Sequence, residues 1–279
     1  MEQEGIEIAE IGSSIEAMGL KTNYHDHGEG EPIVLIHGSG AGVSAWANWR
    51  LTIPQLAKRA RVIAYDVPGF GFTELDPSAH YTIDYWLDHL VAFLDALNLD
   101  KVSFVGNSFG GTLSTQFASR YPERAHRLAM MGANLLSHDI LPDLDRLGWG
   151  YEPSLEMMRE LLEVFPYDKS IITEELVQAR YEATMRPEYQ AAFRSMFPAP
   201  RQRWIDALAP TADQLSRLEC EMLMIHGRED RMVPVDVSIR AAMIVPRAEV
   251  HVFGRCGHWV QIERPREFMA LIQNFFFGS

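Results

Sequence analysis

"VGNSFGG" (Val105–Gly111) ends an apolar run and opens a helical segment, "GTLSTQFASRY"; within it Gly106-Asn107-Ser108-Phe109-Gly110 fits the pattern G-x-S-x-G. A serine on so tight a strand-to-helix turn is conformationally strained, and neighbours without bulky side chains let the backbones pass. Its hydroxyl then stands above the sheet at a helix N-terminus, where backbone N–H groups favour a developing oxyanion. A phosphate loop requires G-x-x-x-x-G-K-[ST], and no lysine follows here. Ser108 is the candidate nucleophile, with a purely structural turn as the alternative.

The same alternation extends outward in both directions. "PIVLIHG" (Pro32–Gly38), "RVIAYD" (Arg61–Asp66), "KVSFVG" (Lys101–Gly106), "RLAMMG" (Arg127–Gly132), "EMLMIHG" (Glu221–Gly227) and "AEVHVFG" (Ala248–Gly254) are short apolar runs that predict buried strands. Between them lies helical periodicity: Ile83, Trp86, Leu87, Leu90, Leu94 and Leu97 share one face, with Thr82 as N-cap, and Pro265 opens the last helix. This pattern predicts an α/β fold, a mostly parallel sheet with helices on both faces. From about Ser137 to Leu208 there is no strand pattern, only amphipathic segments punctuated by prolines, so residues 137–208 are expected to form a helical cap inserted in a core of residues 1–136 and 209–279.

A serine needs a base that is itself held by an acid, and on such a sheet the chain order is Ser, then Asp or Glu, then His. Asp230 in "HGREDRMVP" and His258 in "GRCGHWVQIERP" both follow strands and satisfy that order, with Glu229 the rival for the acid. The oxyanion hole would take one N–H from Phe109 and another from the loop "HGSGAG" (His37–Gly42). Three other features carry less. His25 and His27 precede "GEGEP", read as a hairpin turn, and do not suggest a metal site; Gly69 to Phe72 is too short for a dinucleotide fingerprint; Cys256 is near His258, but a serine already fills the elbow.

With 47% hydrophobic residues the chain can bury a large core, and its net charge of −13 disfavours nucleic acid or an anionic membrane as partner. The N-terminal stretch lacks signal-peptide character, no apolar run is long enough to span a bilayer, and two isolated cysteines suit a reducing compartment; a cytoplasmic location is expected.

Taken together, "HGSGAGVSAWANWR", "GNSFGG", "HGREDRMVP" and "FGRCGHWVQIE", with "YEPSLEMMRELL" and "FPAPRQRWIDALA" in the cap, resemble the meta-cleavage product hydrolases of the α/β-hydrolase superfamily, over nearly the whole chain. The resemblance is nearest to the branch acting on 2-hydroxymuconic semialdehyde and similar products. It implies cleavage of the C5–C6 bond of a 2-hydroxy-6-oxohexa-2,4-dienoate, giving 2-hydroxypenta-2,4-dienoate and a carboxylic acid, without metal or organic cofactor, in a small-molecule enzyme that tends to form homo-oligomers. It also implies a polar subsite: Gly38 and Ser39 on the oxyanion loop, Asn48 and Asn107 bonding the dienoate, Arg180 pairing its carboxylate, and Trp259 packing on the diene. Arginine's fork suits a carboxylate and amides suit both enol and keto forms. A solvated helix residue for Arg180, a core residue for Trp259 and a helix cap for Asn48 are the plain alternatives.

After "MMGA", where relatives usually continue with small residues, this chain reads Asn134-Leu135-Leu136. These residues and Met232 are expected at the subsite for the C6 substituent, which should then be small or medium. A carboxylesterase with the same triad, and a non-catalytic ligand-binding protein of the same fold, are the competing functions.

Overall fold

The computed structural model describes residues 8–278. Eight strands, β1 (Ser13–Ala17), β2 (Leu20–His27), β3 (Pro32–Ile36), β4 (Arg61–Tyr65), β5 (Val102–Asn107), β6 (Ala125–Met131), β7 (Glu221–Gly227) and β8 (Ala248–Phe253), form one sheet in the order β1-β2-β4-β3-β5-β6-β7-β8. From β4 to β8 all neighbours are parallel, while β2 is antiparallel to both β1 and β4. The six strands expected from apolar runs are all present. The β1–β2 hairpin is additional: its residues are mostly polar, with Thr22, Asn23 and His25 buried, so no apolar run marks it in the sequence. Gly28–Pro32 is not a hairpin turn, because β4 lies between β2 and β3.

Central strands are buried on both faces, which explains their unbroken apolar sequence. In β3, Ile33 and Leu35 join one core layer while Val34 and Ile36 join the other, the period of two expected of a pleated strand. Helices α1 (Ala45–Trp49) and α2 (Ile53–Leu56) follow β3; α3 (Ile83–Ala96) follows β4; α4 (Phe109–Arg120) follows β5. Thr82 caps α3, its side chain accepting from Tyr85 N at 3.2 Å, and Trp86, Leu87, Leu90 and Leu94 are fully buried on the expected face.

Between β6 and β7 the regular elements are all helical: α5 (Leu155–Val164), α6 (Glu174–Ala183), α7 (Pro187–Met196), α8 (Gln202–Leu208) and α9 (Ala212–Ser216), with a π-helical turn at Leu144–Gly148. Ser154 and Thr173 cap α5 and α6 with side-chain oxygens. After β7 come α10 (Val235–Ala242), then β8, α11 (Val260–Glu263) and α12 (Pro265–Phe277).

The β5–α4 crossing is close enough to dictate sequence. A Cβ on Gly106 would lie 2.5 Å from Gly111 Cα, and one on Gly110 would lie 2.1 Å from Ile36 O. Gly110→Ala is therefore expected to destabilise by about 3 kcal/mol or more, since backbone cannot yield as a side chain can. By thermal melting this is a fall of about 6–12 °C in Tm for a chain of this size. Gly19→Ala serves as control: its φ is +75°, but nothing lies within 4 Å of the added Cβ, so only the left-handed strain of about 1 kcal/mol is paid.

Candidate active site

Ser108 sits at φ +53° and ψ −117°, the conformation a tight elbow imposes on a residue with a side chain. Its own N–H donates to Met131 O at 2.7 Å, and its carbonyl accepts from Gly111 N and Thr112 N, tying the turn to β6 and to the first turn of α4. The hydroxyl has no protein partner among the described residues and faces a cavity of about 520 Å³ that His258 also lines. The Ser–His contact commonly tightens only when substrate is bound.

His258 Nδ1 lies 2.7 Å from Asp230 Oδ2. The carboxylate can only accept there, so Nδ1 carries the proton and Nε2 is left basic, ready to take the serine proton. Asp230 is held from several sides: Oδ1 accepts from Met232 N at 2.7 Å and Val233 N at 3.0 Å, and Oδ2 lies 3.2 Å from His226 Nε2. Burial alone would push this carboxyl up, but the neighbouring His258 and His226 bring it well below the usual carboxylate range. Glu229 is turned elsewhere, bonding Arg228 and accepting from Cys256 N. Burial and the adjacent Glu263 push the Cys256 thiol up to about 12, so it holds its proton at neutral pH. His25 and His27 belong to β2 and do not line the cavity.

The loop after β3 is fixed by His37. Its Nε2 accepts from Val67 N at 3.0 Å, so Nδ1 must carry the proton it donates to Gly38 O at 2.7 Å. Burial, with Arg180 nearby, takes its pKa down to about 4 and keeps the ring neutral. Ser39 lines the cavity, and its Oγ accepts from Trp149 Nε1 at 2.9 Å, leaving the hydroxyl proton free for a substrate oxygen. As the first residue of α4, Phe109 has an N–H with no intrahelical acceptor.

Asn48 Oδ1 accepts from Gly38 N at a long 3.4 Å, while its Nδ2 is buried without a partner. Asn107 also lines the cavity, its Oδ1 3.3 Å from where a Gly38 Cβ would be. Arg180, on α6, brings its guanidinium to the oxyanion loop: Nη2 is 3.8 Å from a Cβ position on Gly40, Nε is buried and unpartnered, and no ion pair forms among the described residues. Burial lowers its pKa to about 10, which leaves it charged at neutral pH. Trp259 lines the cavity and stacks on Phe165 at 4.8 Å and 12°.

Met232 is buried against the cavity, but Asn134, Leu135 and Leu136 do not line it. The chain after β6 turns beneath α4 instead: Asn134 N donates to Thr112 Oγ1 and Asn134 Nδ2 to Ile205 O, and Leu135 is fully buried in the core. Leu144, Gly148 and Trp149, from the π-helical turn and its cap, line the cavity with Met232.

Several residues around the site escape sequence inspection. Phe165 O accepts from His258 N at 2.6 Å, and its ring stacks on the imidazole. Gly132, at φ +54°, leaves the space in which the His–Asp pair sits; a Cβ there would be 3.0 Å from His258 Nδ1 and 3.1 Å from Asp230 Oδ2. Gln261 lines the cavity with its amide oxygen buried and unpartnered. Its place three residues beyond His258 is the signal that could have found it; Phe165 and Gly132 give none.

A family model described as alpha/beta hydrolase fold matches residues 31–265. A 2-hydroxy-6-oxo-2,4-heptadienoate hydrolase of Pseudomonas putida is 51% identical over 267 residues, covering 96% of each chain. A 2-hydroxymuconate semialdehyde hydrolase of a Pseudomonas species is 49% identical, covering 95% of this chain and 94% of the relative. Among solved structures, a serine-to-alanine variant of a meta-cleavage product hydrolase from Pseudomonas fluorescens, complexed with acetates, superposes with a TM-score of 0.94 at 53% identity, covering 96% of this chain and 98% of that one.

The geometry around Asp230 makes three outcomes testable. Asp230→Asn reverses the hydrogen-bond preference at His258 Nδ1, so kcat should fall by about 10³–10⁴-fold. A carboxyl depressed in the folded state stabilises above its ordinary value of about 3.9 and ceases to do so as pH falls. Denaturant titrations of the variant should accordingly show a shallower loss of stability below about pH 4 than the parent. Gly132→Ala should displace the pair and cost about 10²-fold in kcat, measured beside its thermal stability.

Proposed function

The chain belongs to the alpha/beta hydrolase fold family and, within it, to the meta-cleavage product hydrolases, and on that footing we propose that Ser108, His258 and Asp230 hydrolyse the C5–C6 bond of a 2-hydroxy-6-oxohexa-2,4-dienoate beneath a cap formed by residues 137–208. Its products are 2-hydroxypenta-2,4-dienoate and the carboxylic acid carrying the C6 substituent. The observation that carries this is the unpaired Arg180 guanidinium in the same cavity as Ser108 and His258. Leaving a half-buried cation without an anion costs free energy unless a ligand supplies one, and the substrate's carboxylate does. A neutral ester would leave it unmatched.

Arg180 takes the carboxylate, with Asn48 Nδ2 and Asn107 as hydrogen-bonding partners for the adjoining oxygens. Gln261 contributes an acceptor, which suits the 2-hydroxyl of the dienol. Trp259, backed by Phe165, packs against the flat diene. Conversion of the dienol to its keto form places an electron sink next to the bond that breaks. Ser108 then attacks the C6 carbonyl as His258 Nε2 takes its proton; Ser39 and the Phe109 N–H bond the oxygen that becomes negative. As C5–C6 breaks, His258 returns the proton to C5, and water completes the hydrolysis of the acid fragment.

Leu144, Trp149 and Met232 enclose the C6 substituent. Trp149 is stacked on Phe197 at 4.4 Å and bonded to Ser39, so it is a rigid wall, and this favours small or medium groups. No described helix is long and apolar enough to cross a membrane, and the net charge of −13 repels polyanions. We place the enzyme in the cytoplasm, acting on a small molecule, as a homo-oligomer.

The decisive assay follows loss of the yellow dienolate absorbance of 2-hydroxymuconic semialdehyde and its 6-methyl analogue. Ser108→Ala should abolish it. Arg180→Gln should lower kcat/KM on the dienoates by about 10²-fold, the scale of losing charge-assisted bonds, and leave p-nitrophenyl acetate hydrolysis unchanged. Equal losses on both substrates, or ester hydrolysis alone, would mark a carboxylesterase. Trp149→Ala should move the methyl-to-phenyl ratio of kcat/KM towards phenyl, as removing the wall enlarges the substituent pocket.

A further inference from the structure

His226 heads the stretch "HGREDRMVP" and is fully buried near the end of β7, after the buried apolar residues Met222 to Ile225. An imidazole in such a place costs free energy unless its ring nitrogens are bonded. The chain turns back directly behind it. Asp230 N donates to Gly227 O at 3.2 Å, which returns the Asp230 carboxylate to the imidazole of the strand it has just left. His226 Nε2 faces two oxygens that can only accept, Val233 O at 3.1 Å and the ionised Asp230 Oδ2 at 3.2 Å. It therefore carries a proton and shares it between them. Nδ1 is left to accept, and at 2.7 Å it meets the hydroxyl of Ser238, buried on α10. Val233 closes a ring of bonds, since its N–H donates to Asp230 Oδ1 while its carbonyl accepts from His226.

We infer that His226 is a positioning residue for the reaction: its Nε2–H, fixed by Ser238, holds Asp230 Oδ2 in line with His258 Nδ1. The inference rests on the triad proposed above, but not on the choice of substrate. Oδ2 accepts from His258 Nδ1 at 2.7 Å, so this one oxygen stands between two imidazoles, one lining the cavity and one in the core. Without His226 the carboxylate keeps its two backbone donors on Oδ1 only, and Oδ2 is free to swing about them. The second donor also makes Oδ2 a weaker base. The proton on His258 Nδ1 then stays on the imidazole, as the serine reaction requires.

Neither His226 nor Ser238 lines the cavity, so changing them leaves the substrate's contacts in place. The titratable groups that face Asp230 are the two imidazoles and the Cys256 thiol, which keeps its proton at neutral pH. The charged neighbours in sequence are matched elsewhere, Glu229 with Arg228 and Arg231 with Asp143, each at 2.7 Å. A change in the pH profile on altering His226 therefore reports on the Asp230–His258 pair. Its sign follows from the bonding. Removing a donor leaves Oδ2 a stronger base, which holds the charged form of His258 more firmly, so the neutral form that accepts the serine proton returns only at higher pH.

Steady-state kinetics from about pH 5 to 9, on 2-hydroxymuconic semialdehyde and on p-nitrophenyl acetate, test it beside thermal melts. His226→Leu should lower kcat about tenfold on each substrate the parent turns over, with KM little changed. The acid limb of kcat/KM should move up by about half a pH unit, the scale of one neutral hydrogen bond. His226→Gln keeps an N–H for the same oxygens and should recover most of both effects. Ser238→Ala, which unfixes the tautomer, should show the limb shift in smaller measure; these two variants keep the core filled and decide the matter where leucine does not fold. Nitrogen NMR of the unmodified protein should find the His226 proton on Nε2. A proton on Nδ1 alone overturns the proposal. So does a His226→Leu enzyme that melts lower but keeps the parent's kcat and pH limb, which would make His226 only a tie between α10 and β7. Asp230→Asn separates the two readings: if it is inactive while His226→Leu is unaltered, only the role of His226 falls, and if it retains full activity the triad falls as well.

Discussion

The passage of α4 over β5 and β3 at Ser108 is the constraint on which the rest of the molecule rests. A residue with a side chain is held at positive φ, at a cost of about 1–3 kcal/mol, only because the surrounding structure over-determines it. Here that surrounding structure is backbone: Gly106 against Gly111, Gly110 against Ile36, and the Ser108 N–H against Met131. None of these contacts has a flexible partner. The crossing therefore ties together the three central strands and presents the hydroxyl, the first N–H of α4 and the β3 loop at one end of the sheet.

Electrostatics around that point are sorted by what each group can share. Asp230 is buried yet accepts from two backbone N–H groups and faces two histidines, so it stays ionised. His37 is buried with one backbone donor and one backbone acceptor, which uses both nitrogens of a neutral ring. Asp66 knits the neighbouring loops by accepting from Ala45 N, Phe72 N and Asn23 Nδ2; burial outweighs these bonds and lifts its pKa to about 6. Among the buried polar atoms without a partner, those of Arg180, Asn48 and Gln261 line one cavity. In that cavity a bound substrate would supply their partners.

How much of this the sequence discloses depends on whether the signal is local. The elbow, the buried strands and the order Ser108, Asp230, His258 are legible because tight turns and two-faced burial restrict which residues can stand there. The β1–β2 hairpin is obscured by its mixed polarity, and insertion of β4 between β2 and β3 is a tertiary choice that "GEGEP" does not encode. Leu135 and Leu136 illustrate the opposite error. Their position after β6 suggests a pocket wall, but the Thr112–Asn134 bonds turn the chain under α4 and into the core. The wall comes from the Leu144–Trp149 turn, far enough along the chain that no spacing rule connects it to the elbow.

The helical segment between β6 and β7 reaches the residues around Ser108 at several points. Phe165 fixes the His258 backbone at 2.6 Å and backs both His258 and Trp259 with its ring. Trp149 orients the Ser39 hydroxyl, Tyr189 accepts the Gly42 N–H at 2.7 Å, and α6 delivers Arg180 to the same glycine loop. His258, the loop after β3 and Arg180 are thus positioned by one helical segment, although Ser108 and Asp230 are carried by the sheet. A displacement of that segment would disturb all three together, so on the proposed reading carboxylate binding and the readiness of His258 are coupled through packing. If the proposed roles hold, recognition of the carboxylate and alignment of His258 both follow from the seating of the same helical segment.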